Sequence, residues 1–236
     1  MESTDVQISS ELKRFVDEAP AARKPHLDFL VAAAGSLPAG SRVLDVGSGE
    51  APYRELFSQH TYLTSDWEGT QYTPETAPDI VGPAHDLPLE TDSLDGLVCT
   101  QVLEHVPDPR AALAEFYRLL RPGGWLWVTT PLTWYLHEMP HDYYRYTSFG
   151  LSHLIGSSGF TDLEIRPMND SPTTIAQLLR HLGYLLGRHD DGHDPRRFMA
   201  GQVADQLADV VQDFGDLDTQ WWLPISFSAV ARKPAD

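Results

Sequence analysis

Cysteine is almost missing from this chain. A single residue, Cys99, cannot close an internal disulfide. A secreted disulfide scaffold is therefore excluded, and a reducing compartment such as the cytoplasm fits. Cys99 lies inside an apolar run and reads as a core residue, the usual place of a free thiol. Basic residues are scarce as well: 17 Lys and Arg stand against 34 Asp and Glu, a formal charge of −17. A field of that sign repels phosphate backbones, and pairs such as Arg196-Arg197 and Arg232-Lys233 are too few to make a basic patch. Nucleic acid and anionic membranes are thus not expected partners; a small molecule is. Long apolar runs, repeats and low-complexity stretches are also lacking, and no signal peptide or membrane span is expected. The 236 residues leave room for one domain with a full core, with or without an insertion.

The apolar run Val43-Leu44-Asp45-Val46 ends in Gly47-Ser48-Gly49. A buried strand that stops at two glycines one residue apart reads as a tight turn with its backbone left bare for a ligand. Strands and helices alternate around it. A helix is expected over 22–35 and another opening at 53–57. Strands are expected at 61–65 closed by Asp66, at 80–81, at 94–100 and at 125–129. Apolar residues at Leu113, Phe116, Leu119 and Leu120 mark a helix over 109–120, ended by Arg121-Pro122-Gly123-Gly124. Farther on, a helix at 148–157 and a strand at 160–166 precede a helical pair, 173–186 and 198–214, and a last strand at 221–231. The pattern predicts an α/β fold with a mainly parallel sheet, helices on both faces, and an insertion at about 172–215 between the last two strands. Residues 1–21 read as an arm, loose or as a short helix, and 22–236 as one domain. The insertion is expected to serve as a cap or a dimer face. Its apolar stripe, Ile175, Leu178, Leu179, Leu182, Leu185 and Leu186, reads first as core. Monomer and homodimer both remain open.

Five segments in order resemble the class I S-adenosylmethionine (SAM) methyltransferases. They are Asp45-Val46-Gly47-Ser48-Gly49, Asp66, Ala84-His85-Asp86-Leu87-Pro88, Asp95 to Val106, and Leu120-Arg121-Pro122-Gly123-Gly124. The resemblance implies a Rossmann-like class I fold with a seven-stranded sheet, SAM as methyl donor and S-adenosylhomocysteine as product. It implies that Gly47, Ser48 and Gly49 admit the methionine part of SAM, with Asp45 orienting that loop or meeting the ammonium group. Asp66 would accept both ribose hydroxyls and Trp67 would stack on adenine. Asp86 would accept from the adenine amino group with Leu87 against the ring. Gln101 and His105 would border the pocket on the sulfonium or substrate side. Each acid also has a plainer reading as a helix cap. Two other nucleotide readings fail on detail: the dinucleotide fingerprint needs a glycine where Pro52 stands, and no Gly-Lys-Ser/Thr loop follows.

The run Pro140-His141-Asp142-Tyr143-Tyr144-Arg145-Tyr146-Thr147 resembles a subset of these enzymes linked to sugar, polysaccharide or secondary-metabolite tailoring. A hydroxyl acceptor needs a general base, and histidine titrates in the right range. His141, and then His137, are the candidates; the alternative is that both only hold the loop. Tyr143, Tyr144, Arg145 and Tyr146 are candidates for lining the acceptor pocket, with Arg145 read first as paired to a structural carboxylate. His137 to His141 also spells His-Glu-x-x-His, but Pro140 breaks the helix that a zinc protease needs. No metal is expected; an ion on His137, Glu138 or His141 in support of methyl transfer is the minor alternative. The expected function is O-methylation of a small molecule, with N- or C-methylation next. A non-methylating reaction such as a cyclisation on a structural SAM, or a non-catalytic SAM-binding subunit, are the rivals.

Overall fold

A computed structural model describes residues 8–70, 77–187, 195–218, 220 and 222–235. Among them the chain forms two compact units. One is built from residues up to Pro131, Tyr135–Arg166 and Phe227 onward; the other from Leu132–Trp134 and Pro167–Ser226.

The first unit opens with α1 (Ser10–Asp17) and α2 (Pro20–Ser36). The arm expected at the start is thus in part a helix, held by Leu12 and Val16, which are buried against Leu27. Then come β1 (Arg42–Val46), β2 (Thr61–Asp66), β3 (Ile80–Val81) and β4 (Leu94–Thr100). After these follow α3 (Pro109–Leu119), β5 (Leu120–Pro131), α4 (Ser148–Ser157), β6 (Thr161–Pro167) and β7 (Ser226–Arg232). One seven-stranded sheet results, in the order β3-β2-β1-β4-β5-β7-β6. The pairs β1–β2, β1–β4, β2–β3 and β4–β5 are parallel. Val43, Val98 and Trp127 pack with Leu30, Ala33 and Ala34 of α2 and with Leu37 just after it. The alternate residues Leu44 and Leu97 are equally buried, so both faces of the sheet are covered. Each such full burial contributes about 1.5–3 kcal/mol.

Two elements differ from the reading of the sequence. The segment at 53–57 makes only a 3-10 turn over Arg54–Phe57. Arg121-Pro122-Gly123-Gly124 is not a free turn but a bulge within β5, because Leu94 pairs with Leu120 while Gly96 already pairs with Trp125. Gly123 takes φ +78° there, a conformation that glycine tolerates at no steric cost.

The second unit holds α5 (Ser171–Gly187) and α6 (Pro195–Gln212), and it falls between β6 and β7 as expected. Small residues make the seam: Ala176, Ala204 and Ala208 are buried, and a Cβ on Gly183 would meet the Gly201 backbone at 3.4 Å. The stripe expected to be core is therefore not. Ile175, Leu178, Leu182 and Leu185 stay exposed because α5 turns its small-residue face to α6. The run His189 to Asp194, whose polar residues carry metal-ligand types but read first as a solvated loop, lies outside the described residues.

A buried histidine on α2, unremarked in the sequence, ties that helix to the sheet. His26 Nδ1 donates to the Ala22 carbonyl at 2.6 Å, which leaves Nε2 to accept from the Thr129 hydroxyl at 3.1 Å. Gln101 at the end of β4 donates to the same hydroxyl oxygen at 3.0 Å. Burial holds the His26 pKa below its ordinary value, which keeps the ring neutral and able to accept. Thr129→Val should cost about 1–3 kcal/mol in urea unfolding, since it strands a buried acceptor on His26; a cost near zero would show that the bridge adds nothing.

Candidate active site

The strand order reverses at β1, which lies between β2 and β4. In an open parallel sheet the crevice beyond the strand ends at such a point is where ligands bind. Here the end of β1 turns through Gly47 at φ +68° and Gly49 at φ +52°. A Cβ on Gly47 would stand 2.5 Å from Val102 Cγ2, so the turn admits glycine only. The Gly47 and Ser48 amides donate to the Ser65 carbonyl, locking the turn to β2.

The sequence assigns three carboxylates to this crevice. Asp45 is buried; its Oδ2 accepts from the Tyr62 hydroxyl, and its Oδ1 has no hydrogen bond among the described residues. Burial pushes its pKa up to about 7, partly offset by Tyr62 and increased by Asp66. Asp66 accepts from the Gly49 amide at 3.1 Å and from the Trp67 amide at 2.8 Å. Its pKa is raised by burial, and those two amides pull against that rise. Asp86 lines a cleft of about 510 Å³ with Trp67, Glu68, Val81, Gly82, Pro83 and Pro88. Trp67 and Asp86 are thereby brought together, whereas Leu87 is buried beneath the cleft wall.

The wall is held by a pair that sequence reasoning missed. Glu115 on α3 accepts from the Leu87 amide at 2.9 Å and from Arg118 through both oxygens at 2.7 Å. Arg118 also donates to the Leu87 and Leu89 carbonyls at 3.2 and 2.9 Å. A buried acid on a helix gives no local sign of a partner 28 residues away.

The other side of the crevice is made by the turn after β4 and the loop after β5. Gln101 takes φ +56° and donates its amide to the Thr129 carbonyl. The Glu104 carbonyl accepts from the Tyr143 and Tyr144 amides. The Tyr146 hydroxyl donates to the Leu103 carbonyl and the Tyr144 hydroxyl to the Pro107 carbonyl. Arg145 grips Asp142 through two nitrogens and also donates to the Tyr135 carbonyl. Arg145 holds the Asp142 carboxyl well below the usual carboxylate range. Arg145 is thus occupied within the loop and Tyr146 on the turn after β4, while Tyr143 and Tyr144 are more exposed.

All three histidines meet here. His105 Nδ1 lies 2.8 Å from the His141 carbonyl, and His105 Nε2 lies 3.2 Å from His137 Nε2. The His141 ring stands edge-on to Trp67 at 5.0 Å and its Nδ1 meets the Tyr143 hydroxyl at 3.1 Å. Burial, reinforced by His105, holds His137 below its ordinary pKa. Glu104, to which sequence reasoning gave no role, is fully buried beside them, with its pKa pushed up to about 8 by burial. Its signal was an acid inside the apolar run Val102 to Val106.

The comparisons agree with this architecture. Residues 44–128 match the family model described as a methyltransferase domain. A ubiquinone biosynthesis O-methyltransferase of Xanthomonas oryzae pv. oryzae (strain PXO99A) is 36% identical over 112 residues, covering 39% of this chain and 44% of that protein. The chain thus spans less than half the length of the curated relatives that it matches first. A SAM-dependent methyltransferase from Archaeoglobus fulgidus superposes with a TM-score of 0.57 at 16% identity, over 94% of this chain and 99% of that one. The [4+2]-cyclase SpnF does so with a TM-score of 0.57 at 20% identity, over 90% and 82%. Residues 44–128 thus match a methyltransferase domain in sequence, and the fold is that of the class I SAM-dependent methyltransferases.

The crevice suits such a cofactor chemically. Asp66 beside the Gly49 turn offers a carboxylate to a ligand rich in donors and positive charge, and Asp45, buried just before the turn, has one oxygen without a hydrogen bond among the described residues. The raised pKa of Asp45 has a consequence for stability. The folded state holds a proton there that the unfolded chain releases near pH 4, so stability falls as pH rises from about 4 to 7, by up to about 1.4 kcal/mol per pH unit. Asp45→Asn should flatten that slope in SAM-free protein, as followed by urea unfolding at a series of pH values. An unchanged slope would rule out Asp45 as its source.

Proposed function

We propose that the protein transfers the methyl group of SAM to a hydroxyl oxygen of a small molecule, a sugar or secondary metabolite. The observation that carries this reading is the crevice itself, in which glycine turns, acceptor carboxylates and a histidine-bearing loop converge at the ends of β1, β2 and β4. When bound, SAM supplies an electrophilic methyl group on a sulfonium. The residues of this chain do the rest. Gly47, Ser48 and Gly49 take the methionine part against the bare backbone, and Asp45 meets or organises its ammonium end. Asp66 takes the ribose hydroxyls; its carboxylate also accepts from the Gly49 and Trp67 amides and from Thr70, which fix its orientation. Trp67, Asp86 and Leu87 form the adenine end, and Gln101 and His105 border the reacting end.

In-line placement is most of what methyl transfer asks of a protein, together with a deprotonated acceptor. His141 is the favoured base, because its ring lies against Trp67 at the cleft; His137 is the alternative. Tyr143 and Tyr144 offer the exposed aromatic surface for the acceptor. The name of the Xanthomonas relative favours an oxygen acceptor over nitrogen or carbon. The acidic charge and single cysteine favour a free small molecule in the cytoplasm, met by a monomer or homodimer. The insertion of α5 and α6 is the natural cap or dimer face, since its apolar stripe is exposed.

Two experiments test the reading. Asp66→Ala should weaken SAM binding about 10- to 100-fold in calorimetry, the worth of hydrogen bonds to a charged acceptor; equal affinity would contradict the ribose role. With methyl-labelled SAM and a panel of hydroxylated acceptors, the label should appear in product with one S-adenosylhomocysteine per turnover. Unlabelled product with SAM intact would assign the chain to a non-methylating reaction, as named for the SpnF neighbour.

A further inference from the structure

Two imidazoles and a buried carboxylate converge beside the crevice in a way that methyl transfer does not require. Glu104 and His105 lie on a 3-10 turn directly after β4, and His137 comes from the loop after β5. One ligand atom from each lies within 4.8 Å of the others. We propose that Glu104, His105 and His137 form a binding site for one divalent transition-metal ion.

The hydrogen bonds at the far side of each ring set the geometry. His105 Nδ1 is 2.8 Å from the His141 carbonyl, which can only accept, so Nδ1 carries the hydrogen. His137 Nδ1 lies 3.2 Å from the Tyr135 carbonyl and 3.4 Å from Asp142 Oδ2, again acceptors only. Both Nε2 atoms therefore present lone pairs, and they face one another at 3.2 Å. Two lone pairs at that distance repel unless a proton or a metal ion lies between them, and a metal ion can also engage the nearby carboxylate. Metal–nitrogen bonds of about 2.1 Å meeting at about 100° place two ligand nitrogens about 3.2 Å apart. A carbonyl or carboxylate behind each ring is also what orients imidazoles in metal sites.

Glu104 supplies the independent sign. Its side chain is fully buried, and neither oxygen has a hydrogen bond among the described residues. A buried carboxylate without a partner is costly, and coordination is one of the few ways to satisfy it. Its Oε1 lies 3.9 Å from His105 Nε2, and Glu138 Oε2 lies 3.9 Å from the same nitrogen as a candidate fourth ligand. Two imidazoles with one or two carboxylates suit Zn²⁺, Mn²⁺, Fe²⁺ or Co²⁺ rather than Ca²⁺ or Mg²⁺. This set is not the His-Glu-x-x-His motif. The His141 ring turns to Trp67 and Tyr143, and only its carbonyl serves the site, by holding His105. An ion with open positions would take an acceptor oxygen and lower its pKa; that role, unlike the metal site, rests on the methyl-transfer reading.

The test uses the full chain, stripped by chelator and titrated with Zn²⁺, and separately with Co²⁺ for its visible ligand-field band. One ion should bind per chain and raise the melting temperature. Glu104→Gln and His137→Ala should each weaken uptake by more than about 100-fold, beyond the 10- to 100-fold of an outer-shell change. Glu104→Gln keeps the shape of the buried side chain, and His137 is only half-buried, so at least one variant should fold, as circular dichroism would check. No stoichiometric uptake by the stripped wild type, or uptake that survives both substitutions, overturns the site. SAM calorimetry on the same samples separates the two readings: metal uptake without SAM binding sinks methyl transfer alone, and SAM binding without metal uptake sinks the metal site alone.

Discussion

The structure depends on β1 having a parallel neighbour on each side. Pairing to β2 and to β4 leaves no edge on β1 and buries both of its faces. It also brings three strand ends to one line, where the chain has to leave in different directions. Those exits are sharp, and the backbone shows it in the left-handed conformations of Gly47, Gly49 and Gln101. Glycine accepts such angles freely. Gln101 does not, and it is held there by its amide on the Thr129 carbonyl and its side chain on the Thr129 hydroxyl. The crevice follows from the topology, and the bonds around it keep it open.

That crevice is electrostatically unfavourable by construction. Asp45, Asp66 and Glu104 are each drawn from water, and burial raises the pKa of all three. Asp66 adds to the rise at Asp45, and Glu138 and Asp142 add to that at Glu104, while Arg54 and Arg145 offset it only in part. A protein selected for stability alone would replace such groups by apolar ones. Keeping them makes sense if a donor-rich cation arrives: the site then exchanges an internal cost for ligand affinity. The supporting polar groups differ in kind. Glu115–Arg118 and Asp142–Arg145 are closed pairs that satisfy themselves and fix loops. Asp45 and Glu104 differ from these pairs in keeping carboxylate oxygens without a hydrogen bond among the described residues.

The sequence makes legible what is local. The strand at 43–46 and its glycines, the strand at 94–100, the stop of α3, and the insertion between β6 and β7 can all be read from a dozen residues at a time. Partners far apart in the chain cannot. His26 meets Thr129 across 103 residues, and nothing around His26 announces it. Arg121 to Gly124 has the composition of a turn, yet pairing on both sides keeps it inside β5. The stripe on α5 has the period of a core face, but the choice of face was made by glycines and alanines, which match α6 more closely. Period alone does not say which of two apolar faces finds a partner.

The histidine cluster shows the same limit at the scale of chemistry. In sequence, His137, Glu138 and His141 form a group and Glu104-His105 belongs to another segment. In space the loop after β5 is tied to the turn after β4 by the Tyr143 and Tyr144 amides on the Glu104 carbonyl and by the His105 imidazole on the His141 carbonyl. The first two bonds are made by main-chain atoms alone and do not depend on which side chains stand at these positions. The third uses one ring nitrogen of His105 and leaves its Nε2 facing His137. The main-chain pair therefore sets the spacing between the two segments before their side chains act, as a constellation needs if its atoms are to hold position within fractions of an ångström. The chemistry of the loop is best assigned from what it faces across that tether, not from the pattern it spells along the chain.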